Sequence, residues 1–304
     1  MKNIRIISPS GVIDGTFLTS AIERLQDWGF HVSVGAHVRD CYGRFAGTPE
    51  ARIADTVAAL TEPGIDIVLC SRGGYGLQQI IDRIDMGVRE RGYNGAVVVG
   101  FSDITALHML MANYSAPSLH APMAKALATQ YDESETMMAL RFALDGVRFR
   151  YEFESAFPNR EGVTKGIIRG GNLAVLAGLM GTPYALHADN STILMIEDIA
   201  EPQYKLDRML HQLRLSGIFS RIGGLIVGRF ADCEHDPQMP NTLYDSIADM
   251  VAPYHYPVLY DAPIGHIDDN LSIPLGVSAE LRTTKKAGLL TCSALPLGLE
   301  PRTP

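Results

Sequence analysis

Residues 96–112 read AVVVGFSDITALHMLMA, an apolar run that turns at Gly100-Phe101-Ser102-Asp103 into a helical pattern. Its first five residues have the length and content of a strand buried on both faces, and 104–112 those of a helix. The same alternation continues upstream. Residues 3–8 read as a strand, 18–28 as an amphipathic helix, 31–34 as a strand and 65–70 as another, followed by a turn at 73–76 and a helix over 77–84. Between them a helix opens at Thr48, a suitable N-cap, with Pro49 in the first helical position where its missing N–H does no harm, and Pro63-Gly64 ends it. Strands and helices alternating at these lengths predict βαβ units. The fold class is therefore α/β, with an N-terminal parallel sheet covered by helices on both faces.

Downstream the pattern changes. Residues 147–155, VRFRYEFES, alternate like an exposed antiparallel strand, and 158–162 form a polar break. A short apolar segment at 166–169, a helix over 172–179 and a strand over 192–196 follow. A longer helix over 204–216 carries Leu206, Met209, Leu210 and Leu213 at helical spacing. Strands at 224–230 and 257–261 precede a closing pair at 277–283 and 288–292. This predicts an α/β domain over 1–145, a linker over 146–165 and a second domain over 166–304.

Composition narrows the class of function. The chain has 304 residues, 46% hydrophobic and 20% charged, enough apolar material for two cores. A net charge of −8 argues against nucleic acid, whose phosphates require clustered Lys and Arg. No apolar run reaches the ~18 residues of a membrane-spanning helix. The N-terminal Ile4-Arg5-Ile6-Ile7 breaks at Ser8-Pro9, too soon for a signal peptide. Cys41, Cys70, Cys233 and Cys292 are far apart with no C-x-x-C pair, so neither a disulfide framework nor a thiolate zinc site is expected. A reduced, cytoplasmic protein is the expectation.

The turn at Ser102 is the sharpest chemical signal. A strand entering a helix with a serine at the corner and Gly100 two residues before it resembles a nucleophile elbow, in which the hydroxyl projects beyond the sheet. The match is partial, because Ile104 stands where a trailing glycine is usual; on the simpler reading, Ser102 or Asp103 caps the helix. A second signal, Ser71-Arg72-Gly73-Gly74-Tyr75-Gly76, follows a strand directly and could offer backbone amides to an anion, or be a plain tight turn. It fits neither a P-loop nor a dinucleotide fingerprint.

A serine nucleophile requires a base, and nine histidines compete, three of them near candidate site segments. His108 lies in the helix after the elbow and is expected to face core or solvent; His120 and His266 are placed in loops. Glu197 and Asp198 end a strongly apolar strand, where a carboxylate is costly without a partner. A structural ion pair with Arg208 is the plain alternative. Metal binding through Glu197, Asp198, His266, Asp268 and Asp269 is another, although no known ligand spacing supports it.

Together these pieces resemble the serine LD-carboxypeptidases. The resemblance runs through Ser8-Pro9-Ser10-Gly11, Arg44-Phe45-Ala46-Gly47-Thr48, Arg72 to Gly76 and Gly100-Phe101-Ser102-Asp103. It continues through Gly170-Gly171-Asn172-Leu173, Gly181-Thr182-Pro183, Glu197-Asp198-Ile199 with Glu201, Arg208-Met209-Leu210 and Pro263-Ile264-Gly265-His266. It implies an N-terminal domain akin to class I glutamine amidotransferases and a C-terminal swivelling β/α domain. It also implies a triad of Ser102, His266 and Glu197, with an oxyanion hole from the amides of Asp103, Gly73 and Gly74. The implied reaction removes the terminal D-alanine from a murein tetrapeptide, without metal or other cofactor, in peptidoglycan recycling in the cytoplasm. Arg72, beside the glycine turn, is the candidate for the substrate's free carboxylate, with Tyr75 and Asn172 as further peptide contacts. Family members are commonly dimers, so a homodimer is an expectation of the resemblance alone.

Three rivals remain at this stage. The microcin-immunity peptidases of the same family use the same triad on aminoacyl-adenylate-like amides and stack an aromatic on adenine, whereas the one tryptophan here, Trp28, falls in an N-terminal helix. A non-enzymatic module would hold an anion or peptide at the same turn. A metallohydrolase would lose activity in chelator.

Overall fold

The computed structural model describes residues 1–297, in two compact units: 1–147 with 271–273 and 295–297, and 148–270 with 274–294.

In the first unit, β1 (Asn3–Ile7), β2 (His31–Val34), β3 (Ile67–Cys70), β4 (Val97–Gly100) and β5 (Ser118–His120) join with β11 (Ile273–Leu275) in one sheet. Its order is β11-β5-β4-β3-β1-β2, and β1 to β5 pair in parallel. All residues of β3 and β4 are buried, as a sheet covered on both faces requires. The helices are α1 (Gly15–Asp27), α2 (Pro49–Thr61), α3 (Ile81–Arg91), α4 (Thr105–Asn113), α5 (Ala124–Thr129) and α6 (Glu135–Asp145). Their ends follow local chemistry. Thr48 caps α2 by accepting from the Ala51 N–H at 3.3 Å, with Pro49 in the first position. Ser134 caps α6, and Gly146 closes it with φ +80°, a left-handed turn that a side chain would strain.

The second unit holds a mixed sheet ordered β10-β9-β8-β7-β12-β13-β6. Its parallel part is β7 (Gly162–Asn172), β8 (Thr192–Ile199), β9 (Gly224–Ala231) and β10 (Val258–Leu259). β12 (Ser278–Thr283), β13 (Ala287–Cys292) and β6 (Phe149–Glu154) extend it antiparallel. Its helices are α7 (Leu173–Leu179), α8 (Gln203–Leu215) and α9 (Leu243–Val251).

Four expectations need correction. The stretch 146–165 is no linker: it contains β6 and the start of β7, because Phe149 and Phe153 alternate inward and the strand pairs with β13. The second domain is not continuous, since 271–273 and 295–297 return to the first unit; of its expected span, 298–304 lie outside the described residues. The helix over 77–84 is a 3-10 turn, Leu77–Gln79, followed by α3 from Ile81. His120 ends strand β5 rather than sitting in a loop.

Candidate active site

Two sets of side chains gather at strand ends, one in each unit. In the first, β4 ends at Gly100 and the chain turns through Ser102, whose φ is +66°. A non-glycine residue there costs about 1–2 kcal/mol, so the surroundings must hold it. The glycine missing at position 104 is compensated on the strand side. A Cβ on Gly100 would stand 3.0 Å from the Ile104 side chain and 3.2 Å from the Met123 sulfur. The close approach that the elbow needs is therefore made by Gly100.

The glycine turn lies against the serine. A Cβ on Gly73 would come within 2.8 Å of Ser102 Cβ and 3.0 Å of its Oγ. The Gly11 N–H donates to the Gly73 carbonyl at 3.1 Å, fixing the turn from the other side. Among the described residues, no acceptor is bonded to the amides of Gly73 and Gly74. Beneath the elbow the buried Asp103 carboxylate accepts from Ser10 Oγ at 2.6 Å and from the Leu77 N–H at 3.0 Å. Burial raises its pKa, while those two donors and the nearby Arg52 oppose the rise. Arg52 is itself buried and donates to the carbonyls of Pro9 and Gly76. One buried carboxylate and one buried guanidinium thus pin the loop after β1 and the turn after β3 around Ser102. The sequence shows Ser10 only as part of the Ser8-Pro9-Ser10-Gly11 motif and gives no sign of Arg52, since nothing local marks a residue that acts through loops elsewhere in the chain.

His108 is enclosed below this turn. Its Nε2–H donates to the Gly100 carbonyl at 2.9 Å, and burial pushes its pKa down to about 4. The ring is neutral near pH 7 and its accepting carbonyl fixes the tautomer. Arg72 donates to the Val12 carbonyl at 2.9 Å and, with Arg44, Gly74 and Tyr75, lines a cavity of about 380 Å³. Trp28 caps α1 and packs against the Arg141 guanidinium in the same unit.

In the second unit Glu197, near the end of β8, is fully buried, and His266 Nδ1 lies 2.8 Å from its Oε2. Two glycines make room for this carboxylate. A Cβ on Gly228 would meet Glu197 Cβ at 3.2 Å, and one on Gly265 would meet Oε2 at 2.8 Å. The Gly265 N–H donates to Asn270 Oδ1, which holds the loop carrying His266. A carboxylate on Nδ1 selects the tautomer with its proton there and makes Nε2 the basic nitrogen. Glu197 thus pairs with His266, not with Arg208, whose guanidinium lies over the Tyr204 ring.

Asp198 has a different task. Burial and the neighbouring Glu197 raise its pKa to about 6, against donors from the Ile199 and Ala174 N–H groups and the Asn172 amide. The Asn172 oxygen caps α7 by accepting from Val175, so this amide anchors the helix to the end of β8. Asp268 and Asp269 are exposed, and among the described residues no three His, Cys, Asp or Glu are placed to share a metal ion.

Residues 4–121 match the family model of the LD-carboxypeptidase N-terminal domain, and residues 165–281 that of the C-terminal domain. The chain belongs to the LD-carboxypeptidase family, and its two units carry that family's two domains. It is an enzyme, a carboxypeptidase of the muramoyltetrapeptide type. The murein tetrapeptide carboxypeptidase of Pseudomonas aeruginosa is 30% identical over 91% of this chain and 92% of its own. A muramoyltetrapeptide carboxypeptidase structure from Oxalobacter formigenes is similar with a TM-score of 0.85 and 28% identity, covering 97% of this chain and 100% of that one. The microcin C7 self-immunity protein MccF, solved with aspartyl sulfamoyl adenosine, shares the fold at a TM-score of 0.81 and 19% identity, over 96% of each chain.

Proposed function

We propose that this enzyme releases the terminal D-alanine from a murein tetrapeptide, with Ser102 as nucleophile, His266 as general base and Glu197 as the carboxylate that orients it. The observation that carries the reading is Ser102 at φ +66° with Gly73 pressed against its hydroxyl, a strained conformation of the kind that collects at reactive sites. The His266–Glu197 pair supplies the chemistry such a serine needs.

In this mechanism His266 Nε2 takes the Ser102 proton as Oγ attacks the scissile carbonyl carbon. The amides of Asp103, Gly73 and Gly74 receive the oxyanion, and a donor removed from such a set costs about 10²–10³ in turnover. The intermediate collapses as the C–N bond breaks and His266 gives its proton to the departing D-alanine amine. Water then attacks the acyl-enzyme with His266 again as base, restoring Ser102. Arg72 and Tyr75 line a cavity suited to the remaining peptide and its further carboxylates. Asn172, paired in register with Glu197, caps α7 and holds the strand end beside the dyad.

The same reading places the reaction in the cytoplasm, on peptides recovered from wall turnover. Four free cysteines, with Cys70 and Cys292 buried, suit a reducing compartment. No helix among the described residues is long and apolar enough to cross a membrane.

The test is mass spectrometry of L-Ala-γ-D-Glu-meso-diaminopimelate-D-Ala incubated with wild type and with Ser102→Ala, both in chelator. Loss of one D-alanine with wild type alone is expected. An intact peptide with wild type would overturn the substrate and turn attention to aminoacyl sulfamoyl nucleosides. Cleavage by both proteins would overturn Ser102 as nucleophile.

A further inference from the structure

A carboxypeptidase must recognise a chain end, and in the proposed reaction that end is one residue long. Its carboxylate is attached to the carbon that bears the leaving amine. The amine takes its proton from His266, so the group that reads the carboxylate has to stand beside the His266 loop. In the second unit Arg229 is a cation built into the strand beside that loop.

The strand β9 carries a bulge opposite Glu197. Ile196 pairs with Val227 and Asp198 with Phe230, so Gly228 and Arg229 together face Glu197. Bulges of this kind turn a side chain out of the pleat next to functional groups. Here Gly228 yields space to Glu197, and the Arg229 N–H donates to the Ile264 carbonyl at 2.9 Å, two residues before His266. The Arg229 carbonyl lies 3.2 Å from where a Gly265 Cβ would stand. The backbone of Arg229 is therefore part of the wall around the dyad.

Its side chain is held as well. Nη1 lies 2.8 Å from Asp261 Oδ1, and the Asp261 side chain is only 7% exposed while that of Arg229 is 45% exposed. Asp261 adopts φ +63°, one of five described non-glycine residues in the left-handed region. Tyr244 Oη reaches the same Oδ1 at 3.5 Å, and the Ala156 N–H reaches Oδ2 at 3.4 Å. A strained, buried carboxylate thus grips one end of an exposed guanidinium. Among the described residues no other hydrogen-bond partner is bound to the Arg229 side chain, which leaves the Nε and Nη2 donors available as a pair. That edge has the spacing of a carboxylate's two oxygens.

We propose that Arg229, positioned by Asp261, binds the terminal carboxylate of the substrate and so makes the enzyme an exopeptidase. This rests on the proposed D-alanine release. It moves the role expected of Arg72 to a residue on the strand beside Glu197 and leaves Arg72 to the peptide's other carboxylates.

The experiment compares kcat/KM on two peptides, the tetrapeptide ending in D-alanine and the same peptide ending in D-alaninamide. They are given to wild type, Arg229→Gln, Arg229→Lys, the neutralised pair Arg229→Gln with Asp261→Asn, and Arg72→Gln. Wild type should prefer the acid by roughly 10²-fold, the worth of a charge-assisted bidentate contact. Arg229→Gln and the neutralised pair should bring that ratio to within a few-fold, mainly by slowing the acid. Arg229→Lys should restore part of it, and Arg72→Gln should leave it in place. The ratio does not depend on how much protein folds, so a merely structural role would lower both rates and leave it unchanged. An unchanged ratio in both Arg229→Gln variants, a collapse in Arg72→Gln alone, or a wild type without preference would overturn the assignment. A wild type that cleaves neither peptide would overturn the parent reaction itself, a distinct failure.

Discussion

Replacing Gly73 with alanine puts one methyl group against the reacting oxygen. The new Cβ would stand 2.8 Å from Ser102 Cβ, 3.0 Å from Oγ and 3.2 Å from the Phe101 carbonyl. Carbon contacts relax only at about 3.5–4.0 Å, so the turn and the elbow have to part by roughly 1 Å. Gly73 is not among the glycines with positive φ, so alanine meets no backbone penalty and the effect falls on this contact. A misplacement of that size costs about 10²-fold in turnover, near 3 kcal/mol. Gly74→Ala is the control. Its φ of +118° strains any side chain, but the nearest atom to the new Cβ is Gly11 Cα at 3.7 Å. It should lose about 1–2 kcal/mol of stability with a much smaller loss of rate. Steady-state release of D-alanine and denaturant unfolding on both variants measure the two effects. Wild-type turnover in Gly73→Ala would refute the placement of the turn against Ser102.

Three further outcomes are expected. Glu197→Gln should lower kcat by roughly 10²–10⁴-fold in the same release assay, because the amide no longer enforces the Nδ1–H tautomer of His266. His108 binds its proton near 6.5 when unfolded but only near 4 when folded, so the first unit loses stability as pH falls between those values. At about 1.4 kcal/mol per pH unit the full loss is about 3 kcal/mol, and His108→Leu should remove it from the pH dependence of urea unfolding. Asp198 has the opposite sign: the folded state keeps its proton up to about 6, so the second unit loses stability as pH rises from 3.8 to about 6. Asp198→Asn should flatten that dependence in the same measurement and leave a steeper net decline toward acid.

What was legible in the chain was local. Thr48 and Pro49 mark the start of α2 because capping needs only neighbours. The strand-to-helix corner at Ser102 is written in eight consecutive residues, and the closing pair β12–β13 in its alternation. The strand at 147–155 is legible in its alternation, but the linker reading of 146–165 fails because the partner of β6 is β13, more than 130 residues later, and pairing at that distance leaves no local trace. The strand that ends at His120 does not show in the sequence, because three residues are too few to reveal a period. Glu197 and His266 were both visible as chemically loaded residues, but their contact spans 69 positions and came only with the family resemblance. One signal was available in the sequence: Gly228-Arg229 interrupts the apolar run of β9, where a glycine often marks a bulge or a close approach, and Gly228 does both here. Asp261 gives no such sign.

The most direct measurement of the central claim is peptide mapping after reaction with a fluorophosphonate, in wild type and in His266→Ala. The account predicts a single adduct on Ser102, formed at least 10²-fold more slowly without His266. An adduct on another residue, or equal labelling rates in the two proteins, would contradict it.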